Sequence, residues 1–153
     1  MKTFLAIALF GFALFTTDPV LSSEVRATPE EAKGLLSRAV EKVTKDGPEA
    51  AFTSFNDPKG NFKVKELYVF AFDLNGKYMA SGANPMLVGT DAIDVKDANG
   101  TPVVREIIEL GKAKGHGEVK YIWLNRVTNK VEKKNSFIQR LGNYVLGVGF
   151  YQN

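Results

Sequence analysis

Tyr121 and Trp123 stand two residues apart in an apolar, β-branched run, and Lys134 and Ser136 are spaced the same way after a short turn. Residues two apart in a strand share a face. Val119, Tyr121 and Trp123 therefore share one face, with Lys120, Ile122 and Leu124 opposite. Lys134, Ser136 and Ile138 share another, with Asn135, Phe137 and Gln139 opposite. With Tyr121, Trp123, Lys134 and Ser136 on one cavity, the site has two aromatic walls, one cation and one hydroxyl. That set suits a small organic anion: the ammonium offsets the carboxylate charge and the aromatics exclude water. Tyr78 and Met79, on opposite faces of their strand, are candidates for the second wall. A slip of one residue in register would put Lys133 where Lys134 is expected. The plainer reading of the same residues is ordinary strand packing for the aromatics and a solvated side chain for Lys134.

Other chemistries are excluded by composition. There is no cysteine, hence no disulfide, thiol nucleophile, thiolate metal site or Cys-x-x-Cys-His haem attachment. The single histidine, His116, lies between Gly115 and Gly117 and reads as an exposed turn residue; a multi-histidine zinc site is impossible. Asp94, Asp97 and Asn99 hint at calcium, but their spacing is not that of an EF-hand loop and Pro102 interrupts it. Asn99-Gly100-Thr101 matches a glycosylation sequon, a short and common pattern. No Gly-x-Ser-x-Gly elbow exists to activate a serine, and no carboxylate pair stands out for acid–base work. Arg105, beside Glu106 and Glu109, belongs to a solvated helix face. No metal, cofactor or enzymatic activity is expected.

The elements that must hold these residues follow a leader. Lys2 precedes an apolar run from Phe4 to Phe15, broken by Asp18-Pro19. That run suits a signal peptide, since a spanning helix needs roughly 20 residues. Residues 1–23 are read as that leader, with cleavage between 22 and 27; the alternative is an uncleaved anchor. The remainder suffices for one domain with a core of its own. Its charge is the +3 of the whole chain, because the leader removes one base, Lys2, and one acid, Asp18. No block of like charge suggests a nucleic-acid partner.

Thr28-Pro29-Glu30-Glu31 starts a helix through a capping box, and Ala32, Leu35, Leu36, Ala39, Val40 and Val43 form its apolar stripe. That stripe has two destinations: the domain's own sheet, or a second copy in a homodimer. Gly47-Pro48 ends this helix and begins a shorter one carrying Ala51, Phe52 and Phe55. Strands follow over Leu67–Phe72 and Lys77–Ala83, with a helical turn at Pro85–Gly89. A helix is capped by Thr101-Pro102 and ended by Gly115, and strands span Glu118–Leu124, Val131–Leu141 and Tyr144–Tyr151. The simplest solution is an α+β fold: a PAS-like five-stranded antiparallel sheet with N-terminal helices and a helical excursion between strands 2 and 3, the helices on one face. That layout leaves a cavity between sheet and excursion.

Several segments together resemble the single Cache domain family. They are Tyr68 to Gly89, the helix Val104 to Leu110, the strand Gly117 to Trp123, the segment Lys134 to Phe137 and the ending Gly147 to Tyr151. The resemblance covers residues 28–151, and its weight lies in order and spacing. It implies an extracytoplasmic, PAS-like sensor of small molecules, often small carboxylates, of the kind used in chemotaxis and signal transduction. It also implies a place for Asn84: the family often has His-Pro in the turn where this chain has Asn84-Pro85, so a ligand contact there would be neutral. The expected protein is thus a periplasmic or secreted bacterial binding module for a small organic anion. Because no second membrane span or signalling tail follows Tyr151 here, output is expected through a membrane receptor or kinase partner. The competing readings are an accessory or dimerisation subunit with an empty pocket, and a small hydrolase.

Overall fold

The computed structural model describes residues 26–152; the expected leader lies outside them. Helix α1 (Pro29–Asp46) begins as its sequence demands. Thr28 Oγ1 accepts from Glu31 N at 3.1 Å and Glu31 Oε2 accepts from Thr28 N at 2.7 Å, satisfying two N-terminal donors reciprocally. Gly47, at φ +83°, turns the chain directly into α2 (Pro48–Asn56). This backbone angle is one that glycine adopts at little steric cost.

Six strands follow. They are β1 (Lys63–Val64), β2 (Leu67–Asp73), β3 (Tyr78–Ser81), β4 (His116–Asn125), β5 (Lys130–Leu141) and β6 (Tyr144–Tyr151), with α3 (Val103–Lys114) between β3 and β4. All pairings are antiparallel, in the order β1-β2-β6-β5-β4, with β3 also on β2. The five expected strands are present, and β1 is an added two-residue strand. His116 opens β4 opposite Gln139 and so belongs to a strand, not to a turn. Thr101 does not cap α3: Pro102 is the N-cap, without a side-chain bond. Thr101 instead donates its N–H to Asp97.

The expectation of helices on one face is corrected. Helices α1 and α2 pack Leu35, Leu36, Phe52 and Phe55 against Val69, Ala71, Leu146 and Val148. Helix α3 packs Val104, Ile107 and Ile108 on the opposite face against Phe70, Phe72, Ile138 and Val145. The cause is visible in β2 and β6, whose residues are buried on both sides and so require two covers. The α1 stripe is spent on the chain's own sheet. Among the described residues no helix is long and apolar enough to cross a membrane.

Candidate functional site

On the α3 side a cavity of about 70 Å³ opens between the sheet and the segment joining β3 to α3. Strand alternation places Tyr68, Phe70 and Phe72 of β2 along it. Tyr78 of β3, Tyr121 and Trp123 of β4, and Val103, Val104 and Ile107 of α3 complete the walls. Asn84, Leu87 and Arg126 also line it. Tyr121 and Trp123 meet edge to face with centroids 5.8 Å apart, and Phe72 packs 4.5 Å from Tyr78.

Four of the sequence candidates, Tyr78, Asn84, Tyr121 and Trp123, thus line one cavity. Met79, the other wall candidate, packs into the opposite core. Asn84 holds its own turn: its side chain accepts from Met86 N at 3.3 Å, starting the short 3-10 turn Pro85–Leu87.

Lys134 and Ser136 share the sheet face of Tyr121, since Tyr121 pairs with Lys134 and Val119 with Ser136. They stand one layer behind the cavity wall. Ser136 Oγ lies 2.8 Å from Tyr121 Oη. Lys134 is 1% exposed and donates to Tyr68 Oη at 2.8 Å and Tyr151 Oη at 3.4 Å. Its ammonium sits over both rings, 4.2 and 4.7 Å from their centroids. Tyr151 in turn donates to Leu124 O at 2.8 Å. Neighbouring Lys133 is exposed, so the register puts Lys134 inward.

Gly149 makes this arrangement possible: a Cβ there would collide with Lys134 Cε and Ser136 Oγ. Gly147 likewise leaves room for the Phe70 ring. On its α3-facing side the central strand is therefore partly bare, and neighbouring side chains cross it.

Burial sets the electrostatics. It pulls the Lys134 ammonium down to about 7, against the attraction of the Glu66 carboxylate. It pushes the Tyr68 and Tyr78 phenols up to about 12. The Tyr121 phenol is pushed well above its ordinary value, again first by burial. At neutral pH the site offers neutral O–H groups backed by one buried amine.

Sequence reasoning missed Tyr68 and Arg126. The alternation of Tyr68, Phe70 and Phe72 is a usable signal for one aromatic wall. Arg126 sits in the β4–β5 turn, where no periodicity indicates direction.

A family model described as a Cache domain matches residues 58–153. The sensor histidine kinase MctS of Rhizobium johnstonii is 30% identical over 89 residues, covering 57% of this chain and 19% of that kinase. The chain thus spans under a fifth of the curated relative it matches. Among solved structures, a methyl-accepting chemotaxis protein from Vibrio parahaemolyticus superposes with TM-score 0.67 at 23% identity, over 80% of this chain and 86% of that one. A periplasmic sensor domain of a chemotaxis protein gives 0.64 at 25% identity, over 85% and 94%. A Cache chemosensory domain solved for its recognition of carboxylic acids gives 0.63 at 25% identity, over 81% and 88%.

Proposed function

This chain belongs to the Cache domain family of extracytoplasmic, non-enzymatic signal-sensing domains, and from that premise we propose that its aromatic cavity binds a small organic anion. Residues 28–151 form the sensor domain. It works in the periplasm after export through the leader. The observation that carries this reading is Lys134. A fully buried ammonium would ordinarily be paired with a carboxylate or neutralised. Here its hydrogen-bonding partners are two phenols, and no ion pair includes it among the described residues. Tyr68 stands between it and the cavity. A bound carboxylate accepts from Tyr68 and Tyr121, and Lys134 stabilises it from behind.

Size supports a small ligand. A water needs about 15 Å³ of such space, so 70 Å³ holds roughly five water-sized groups. That matches a short-chain acid. The related domain that recognises carboxylic acids supports the same class. Occupancy is passed to a kinase or chemoreceptor module, as the likeness to MctS suggests.

A thermal-shift screen against short carboxylates, amino acids, amines and purines tests this, with Lys134→Met alongside. A ligand at 100 times its Kd stabilises by about 2.7 kcal/mol. The expected result is a carboxylate-dependent shift that is lost in the variant. Stabilisation by a cation, equal in both proteins, removes the anion reading. No shift with any compound favours an accessory subunit with an empty pocket.

A further inference from the structure

Behind Tyr68 lies a second cavity of about 120 Å³, between the β1–β2 turn, the end of β6 and the β4–β5 turn. Glu66 lines it and is 5% exposed. Its Oε1 accepts from Ala27 N at 2.7 Å, while its Oε2 is buried with no hydrogen-bond partner, alone in this among side-chain atoms of the described residues. A buried oxygen of this kind normally has a donor, and leaving it bare is costly. Asp97 shows what a completed case looks like here. Its Oδ1 accepts from Asn99 N and Thr101 N and its Oδ2 from Ile122 N, at 2.8–3.0 Å.

The remaining polar groups of this cavity divide into committed and free. Lys65 is held by Glu31 at 2.8 Å, Asn125 donates to Glu132, and Tyr151 donates to Leu124 O. Arg126 and Lys63 have no hydrogen-bonding or ion-pair partner among the described residues, and both are exposed. The cavity therefore offers one buried acceptor and, at its exposed end, free cations. A plain anion would leave Glu66 unpaired and add a second negative charge beside it. A plain amine would have to pass Arg126, Lys63 and Lys65. A ligand small enough for a cavity of about 120 Å³ satisfies both ends only if it carries a carboxylate and a hydrogen-bond donor.

We propose that this cavity is a second ligand site, distinct from the aromatic one, that takes a small carboxylic acid with a hydroxyl or ammonium on the adjacent carbon. The carboxylate meets Arg126, and the adjacent donor fills the empty position on Glu66 Oε2. The two cavities share Tyr68, Ala83 and Arg126 as a wall, but Trp123 lines only the aromatic one and Val127 only this one. Success or failure here is thus separable from the aromatic site.

The test is calorimetric titration of the purified protein with glycolate, glycine and acetate, which differ only in the group beside the carboxylate. Wild type should bind glycolate or glycine at least tenfold more tightly than acetate. Glu66→Gln keeps the acceptor for Ala27 N but turns an amide toward the ligand, so the preference should vanish. A response to glycolate alone assigns the donor to a hydroxyl, and to glycine alone assigns it to an ammonium. Equal affinity for all three acids, or a preference that survives Glu66→Gln, overturns the proposal and leaves only a trapped water on Oε2. Should the variant lose its fold, intermolecular NOEs in the wild type decide. Contacts from the glycolate or glycine methylene to the Val127 methyls support the site. Contacts to the Trp123 indole alone sink it.

Discussion

Beneath α1 and α2 the sheet presents Val69, Ala71, Leu146 and Val148 to Leu35, Leu36, Phe52 and Phe55, and these side chains form one buried apolar cluster. On the other face β2, β4 and β5 present Tyr68, Tyr121, Lys134 and Ser136 among Phe70, Phe72 and Ile138, and a cavity remains beneath α3. The two faces belong to one sheet, so the difference does not come from its backbone. It comes from which side chains alternate onto each face, and from β6. That strand turns Leu146, Val148 and Phe150 toward the helix pair but Gly147 and Gly149 toward α3. One face is closed by apolar bulk; the other is held open by aromatic rings whose polar ends are tied to one another. Dense packing stabilises the first, while the second gives up packing for open space.

The sharpest way to break this contrast is Phe55→Ala on the closed face. It deletes a fully buried ring and should cost about 3–5 kcal/mol in denaturant unfolding. Any ligand-induced thermal shift should persist in this variant. If ligand affinity falls with stability, the faces are coupled and the comparison fails.

Lys134 sharpens the other side. Its folded value is about 7 against an ordinary value of 10.5. Between these values the unfolded chain holds the proton and the folded chain does not, so stability rises with pH across that window. The slope attributable to this group is up to about 1.4 kcal/mol per pH unit from pH 7 to about 9.5. Below pH 7 both states are protonated and the burial penalty is present in full. Lys134→Met should flatten the slope. Affinity for a carboxylate should move the opposite way in the wild type, weakening as pH rises through 7. A pH-independent affinity would detach Lys134 from the proposed site.

The smallest effect belongs to the outer surface of α3. Arg105 pairs with Asp94 at 2.6 Å, with both side chains largely exposed. Arg105→Ala should change stability by less than about 0.5 kcal/mol and leave binding unchanged. A larger loss would mean that the rim of the excursion, and not only its buried face, maintains the cavity.

Much of the fold was legible because it rests on local rules. The capping box at Thr28 and Glu31 and the hairpin residues at Gly142-Asn143 act over a few positions. So did the alternation that pairs Tyr121 with Trp123, which the sheet carries onto one wall. The two-sided burial of β2 and β6 was written in their unbroken apolar runs, though the helices were assigned to one face. Thr101 looked like a cap, but the helix begins at Val103 with Pro102 as its N-cap, and Thr101 N joins Ile122 N of β4 in donating to Asp97.

By itself, the sequence determined the elements, the apolar faces, the absence of thiol and multi-histidine chemistry, and the resemblance that the Cache family model bears out. Only the tertiary structure decided which polar groups are buried and what they meet. Lys133 and Lys134 are indistinguishable in the chain, and strand register alone separates a solvated lysine from a buried one. Glu66 is buried in a two-residue hairpin turn in which Lys65 adopts φ +56°, a left-handed angle that local propensity does not favour for lysine. Arg126 reaches both cavities from another turn, where no period indicates direction. Periodic segments announce their faces; turns and registers are settled by long-range packing, and the proposed sites are built largely from these.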